Sequence, residues 1–170
     1  EGFFLLEWKN DNYYLNNKEI KQTELESFIN SLENYLISDY ISQHPYANAI
    51  NPDTTNTIRL FVLLDNDKNV FIIRRALHRF GRAGSFVDNI GSAAGGLASF
   101  IDISTGTLTK IGFFREKNEI LKPVTIDKHP DTQMQISGLV IPGWENMLSK
   151  LLNISQNKTF LKFFGMDVVI

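Results

Sequence analysis

Two arginines and an asparagine inside a glycine-rich stretch are the residues of this chain best suited to chemistry. Arg79, Arg82 and Asn89 stand within RFGRAGSFVDNIGSAAGGLASFID, residues 79–102. Guanidinium forks match the oxygens of a phosphate or carboxylate, an amide can position a transferring group, and glycines let backbone come close to an anion. The same composition also fits a long surface loop between two strands, with glycines supplying positive φ values. The stretch follows neither the dinucleotide fingerprint nor the Walker pattern: Gly81, Gly84, Gly91, Gly95 and Gly96 have other spacings, and no Lys-Ser/Thr follows. Arg59, flanked by Ile58 and Leu60, either faces solvent on the polar side of a sheet or points into a site. His129 either contacts an acceptor substrate or, with Pro130 and Asp131, fixes a turn. Asp88 either orients an arginine or forms an Asx turn before Ile90, and Asp102 reads as a strand-end residue rather than a metal ligand.

These groups need a scaffold, and the apolar periodicity describes one. FFLLEWK and NYYLN flank an Asn10-Asp11 turn and predict a hairpin. Thr23 and Glu26 have capping-box spacing ahead of an amphipathic helix carrying Leu25, Phe28, Ile29 and Leu32. YLISDYI, residues 35–41, reads as a strand, and the polar segment after it, with Pro45 and Pro52, as turns. TIRLFVLLD and NVFIIRRALHRF form a second hairpin around NDKN, and LASFIDI and TLTKIGFF a third around Ser104-Thr105-Gly106. A loop-rich region follows, then a helix from about Pro142 with Trp144, Met147, Leu148, Leu151 and Leu152 as its stripe, then a closing strand in FLKFFGMDVVI. Hairpin-connected strands with two helices predict an α+β fold.

Composition narrows the class. The chain has 170 residues, 43% apolar and 21% charged, as in an ordinary globular protein. A net charge of −2 leaves no electrostatic footprint for nucleic acid, and no apolar run suggests a membrane span. The absence of cysteine excludes disulfides and thiolate metal sites and fits a cytoplasmic protein. EGFFLLEWK resembles neither a signal peptide nor an initiator start, so the chain is expected to begin in mid-protein.

Taken together, NTIRLF (56–61), RFGRAGSFVDN (79–89), GGLASFID (95–102), STG (104–106), HPDT (129–132), IPGW (141–144) and GMDVVI (165–170) resemble the sugar-transfer-associated ATP-grasp family. The likeness covers nearly the whole chain from about Leu36. It implies the C-terminal lobe of an ATP-grasp carboxylate ligase over residues 36–170, preceded in residues 1–35 by the tail of the nucleotide-binding subdomain. It further implies ATP and Mg²⁺ as cofactors, an acyl phosphate intermediate, a small-molecule carboxylate with a nucleophile acceptor, and a place in polysaccharide or cell-surface glycan biosynthesis. By the resemblance, Arg59 and Arg79 contact the phosphate or acyl phosphate and Asn89 orients the transferring group. Gly95 and Gly96 allow close backbone approach, and Arg82 supports the nucleotide phosphates. Ile37 and Asp39 would sit at the adenine strand, although relatives usually carry a Glu where this chain has Ser38 and Asp39. Asp167 matches the first of three metal-ligand positions; the Glu and Asn that complete the set would come after Ile170, so the metal site is expected to be incomplete and nucleotide binding by these residues alone weak. The rival readings are a non-catalytic ATP-grasp module that binds a nucleotide or acidic sugar, and a structural interaction domain. A Glu-x-Asn pattern shortly after Ile170 in the full-length protein would favour the enzyme over the module, and the structural domain is favoured if Arg59, Arg79 and Asn89 do not converge in space.

Overall fold

The computed structural model describes residues 3–91, 95–115, 119–156 and 160–170. Two compact units divide the chain, Glu1–Ile41 and Ser42–Ile170.

The first unit is an antiparallel sheet of β1 (Leu6–Lys9), β2 (Asn12–Leu15) and β3 (Lys18–Ile20), followed by α1 (Gln22–Asn30). Both of its hairpin turns place two residues at positive φ, Asn10-Asp11 and Asn16-Asn17, a conformation that matches strand twist and that Asn and Asp tolerate. The second turn and β3 escape the hydrophobic pattern because only Ile20 in KEI is even partly buried. The expected capping box does not form: Lys21 is the N-cap without a side-chain bond, and Thr23 already lies in the first turn. Leu25 is buried, while Phe28 packs edge-on against Phe4 at 4.9 Å. Residues 35–41 are not a strand. Among the described residues they join no strand ladder, and Leu36 and Ile37 are 100% and 85% exposed, so β-branched composition found no neighbouring edge to satisfy it.

The second unit is built on a six-stranded antiparallel sheet. Its strands are β4 (Ile58–Asp65), β5 (Val70–Phe80), β6 (Gly96–Asp102), β7 (Thr107–Arg115), β8 (Lys122–Thr125) and β9 (Phe163–Val168), in the order β8-β7-β6-β5-β4-β9. The first five form a meander, and β9 returns to the free edge of β4. Alternation sets the faces: Ile58, Leu60 and Val62 from β4, with Ala76, His78 and Phe80 from β5, are buried, whereas Arg59, Leu77 and Arg79 point the other way. The buried face is covered by α3 (Trp144–Gln156), whose predicted stripe packs there, and by α2 (Pro45–Ile50). Sequence reading took the α2 segment for turns. Pro45 starts that helix at a position where its missing N–H costs nothing, and the His44 ring accepts from the Tyr46 N–H at 3.0 Å. Among the described residues, no helix is long and apolar enough to cross a membrane.

Candidate active site

The face of this sheet opposite α2 and α3 carries the candidate site residues. Arg59 sits directly opposite Asp167 in the β4–β9 ladder, and Arg79 follows two residues after Leu77, which pairs with Arg59 from the other side. Register therefore puts Arg59, Arg79 and Asp167 on one face of three neighbouring strands. The Asp167 carboxylate takes two bonds from the Arg59 fork, from Nε and, at 2.7 Å, from Nη2, and lies 3.2 Å from Arg79 Nη2. The hydrogen bond from Arg59, reinforced by the charge of Arg79, holds Asp167 below the usual carboxylate range.

Arg79 is held from behind as well. Its Nε donates to Thr57 Oγ1 at 3.0 Å, that hydroxyl donates to Asp88, and Asp88 stands 3.4 Å from Arg79 Nη2. Asp88 also accepts the Thr57 N–H at 2.7 Å, so of its two sequence readings the structure shows the one that orients an arginine. The side chains of Arg79 and Asp88 are 15% and 9% exposed, against 35% and 43% for Arg59 and Asp167. The cluster thus has a fixed inner half and an open outer half.

Buried amides lock the loops that carry it. Asn51 donates to the Gly81 carbonyl at 3.1 Å, Asn56 accepts from the Gly81 N–H, and Thr54 donates to the Ser85 carbonyl at 2.6 Å. Gly81 must be glycine, since a Cβ there would lie 2.4 Å from Thr54 Oγ1. Arg82 forms a two-armed pair with Asp131, both bonds 2.9 Å, and lies over the Phe114 ring. That pair lowers the Asp131 pKa and ties the glycine-rich stretch to the 129–132 turn. His129 has the turn role: its Nδ1 accepts from Asp131 and Thr132 N–H groups, its Nε2 bonds the Gly81 carbonyl at 3.0 Å, and burial pushes its pKa down. Asp102 caps its own strand end through Ser104.

The structure does not bring every expected residue together. Asn89 is exposed and its amide oxygen accepts from the Gly91 N–H at 3.1 Å, so its side chain closes a local turn rather than joining the arginines. The close approach permitted by Gly96 is used by the protein itself, because a Cβ there would lie 2.8 Å from the Ile90 Cα. Gly95 is buried with φ +82°. Ile37 and Asp39 lie in the exposed 35–41 segment of the first unit. Thr57 went unnoticed in the sequence, although its placement two residues before Arg59 in a strand pattern puts both on one face.

A family model described as sugar-transfer associated ATP-grasp matches residues 7–170. The chain belongs to that family. No curated protein and no solved structure matches it. ATP-grasp proteins are ATP-dependent and ligase-like, generally use ATP with Mg²⁺, and act on small molecules. In this ATP-grasp domain, two guanidiniums converging on one anionic oxygen position suit a phosphoryl group or carboxylate. They do not suit Mg²⁺, which needs about six oxygen ligands. Both oxygens of Asp167 already accept from arginines, and among the described residues no three acidic or histidine side chains gather.

Proposed function

We propose that the Ser42–Ile170 unit is the catalytic lobe of an ATP-dependent ligase that activates a carboxylate as its acyl phosphate, in the assembly of a polysaccharide or cell-surface glycan in the cytoplasm. The observation that carries this reading is the Arg59–Asp167–Arg79 arrangement, in which a protein carboxylate sits where a substrate anion would be held. The glycan role rests on the sugar-transfer association of the family.

In such a reaction ATP supplies the phosphoryl group: the substrate carboxylate oxygen bonds to the γ-phosphorus as ADP leaves, and a nucleophile then attacks the acyl carbon, losing a proton as phosphate departs. The protein's part is electrostatic. Arg79, fixed by Thr57 and Asp88, offers a preorganised donor to charge developing on the transferring group. Arg59, whose side-chain hydrogen bonds among the described residues all go to Asp167, turns from that carboxylate to the incoming anion. Asp167, together with Asp88 on the inner side, balances the two arginines until then, so binding is an exchange of one carboxylate for another anion. Residues 1–35 belong, in this reading, to the tail of the nucleotide-binding subdomain, and Ile37 and Asp39, in the stretch that follows it, stand at the adenine strand. Arg82 shapes the phosphate loop through Asp131.

Incubating the full-length protein that carries this domain with ATP, Mg²⁺, a panel of sugar acids and hydroxylamine tests this, since an acyl phosphate is captured as a hydroxamate. Carboxylate-dependent ADP release with matching hydroxamate is expected. ADP release that ignores the acid, with no hydroxamate, refutes it. The neutralised arginine pair also favours a second reading, a non-catalytic module that binds a nucleotide or acidic sugar; saturable binding without ADP release would select it.

A further inference from the structure

A groove of about 380 Å³ opens where β5 and β6 part. Their pairing covers only Leu77–Phe80 against Leu97–Phe100, so Val70–Ala76 has β4 on one side and no strand on the other among the described residues. Phe100, Ile103, Thr109 and Ile111 line one wall, Arg74 and Arg75 the other. Two irregularities build these walls. Phe61 pairs with Arg75 and Val62 with Ile73, which leaves Arg74 as the extra residue of a bulge. Ser99 pairs with Gly112 and Ile101 with Leu108, so Thr109–Ile111 bow out opposite Phe100, pinned by Ser99 Oγ donating to the Thr109 carbonyl at 2.8 Å. Consecutive strand residues normally face opposite ways, and a bulge re-aims a side chain. Here it lets two adjacent arginines line one groove.

Those arginines differ from the others. Arg59, Arg79, Arg82 and Arg115 each have partners within the protein. The side chains of Arg74 and Arg75 are exposed, and among the described residues they make no hydrogen bond or ion pair and no carboxylate lines the groove. Ile111, at 64% exposure, is likewise uncovered. Guanidiniums beside an apolar wall complement one kind of ligand. We propose that this groove binds a small amphiphilic anion, with its apolar body against Phe100, Ile103 and Ile111 and its carboxylate or phosphate head on Arg74 and Arg75. Its volume lies in the range of small-molecule sites, about 300–1,000 Å³. Arg75 and Arg79 are four residues apart on one strand, about 13 Å, so this site is separate from the arginine–aspartate cluster and does not depend on the ligase reading.

The test is a titration of the ¹⁵N-labelled full chain, without nucleotide, by octanoate, octyl phosphate and octanol. Amides of residues 100–103 and 109–111 should shift saturably, and at least one of the two anions should bind about tenfold tighter than the neutral alcohol. Which anion binds tighter assigns the head group. Arg74→Gln/Arg75→Gln should bring both anions to the level of octanol, Arg75→Lys should retain part of the affinity, and Ile111→Ser should weaken all three ligands. The inference is overturned by octanol binding as tightly as the anions, by shifts confined to other regions, by full anion affinity in the double Gln variant, or by no binding of any probe. Thermal midpoints of the variants show whether a loss comes from the groove or from unfolding; were the double variant unfolded, Ile111→Ser and Arg75→Lys would still decide.

Discussion

His78 should make this domain lose stability on mild acidification. The ring is fully buried beside Phe80 at 4.3 Å and Tyr46 at 5.8 Å, and neither of its nitrogens has a hydrogen-bond partner among the described residues. Burial, aided by the charge of Arg79, pushes its pKa down to about 3. An unfolded histidine titrates near 6.5. Between those values the unfolded chain binds a proton that the folded chain refuses, so stability rises with pH across the window and falls on acidification. With one pKa unit worth about 1.4 kcal/mol, moving from pH 7.5 to 5.0 should cost about 2 kcal/mol. For a chain of this size that is about 4–8 °C in thermal midpoint. His78→Phe keeps an aromatic ring in the site and removes the proton, so the difference between wild type and variant should shrink or reverse over this range as the wild type loses stability. Parallel curves for the two proteins from pH 7.5 to 5.0 would show that His78 is not protonated on unfolding as argued.

Four other outcomes follow from the geometry. Asp88→Ala removes two bonds to Thr57 and the inner counter-charge of Arg79, and should cost about 2–4 kcal/mol in urea unfolding; a loss under half a kcal/mol would contradict the fixed inner half. Gly112→Ala places a methyl 2.0 Å from the Ala98 carbonyl oxygen and should destabilise by about 3 kcal/mol or prevent folding, while Gly138→Ala, with no neighbour within 4 Å but φ +82°, should cost only about 1 kcal/mol. Comparable melts for the two would refute the packing argument. Asp167→Asn removes the anion that competes for the arginines, so inorganic phosphate should bind about tenfold tighter by calorimetry, with under about 1 kcal/mol lost because the pair is half exposed. Acidification acts on that pair in one direction: its depressed carboxylate pKa means the stabilisation is complete above about pH 4 and disappears below it, as an acid melt of Asp167→Asn against wild type would show.

Much of the sheet was legible where its strands alternate. IRLF in β4 and ALHRF in β5, on one side of the bulge at Arg74, carry their faces in their parity, and Gly106 marks the β6–β7 turn. Parity alone cannot pair strands. That Asp167 lies opposite Arg59 depends on β9 returning across more than a hundred residues, and only the family resemblance had singled it out, for a different partner. Asp88 was ambiguous since an aspartate before Asn-Ile suits both a local turn and a distant arginine. The expected strand at 35–41 failed where an apolar run had no edge to join, and α2 was hidden because proline reads equally as a breaker and as a helix start. Arg82 and Asp131 carried no local sign of each other, being joined only once the glycine-rich stretch meets the 129–132 turn.

The measurement that bears most directly on the arginine pair is a double-mutant cycle on carboxylate-dependent ADP release in the full-length protein, using Arg59→Ala, Arg79→Ala and both together. Each single change should lower turnover about 10²–10³-fold with the thermal midpoint little altered for Arg59→Ala. Because both guanidiniums serve one anion, the double variant should lose far less than the product of the two. Wild-type turnover in either folded single variant would contradict the account.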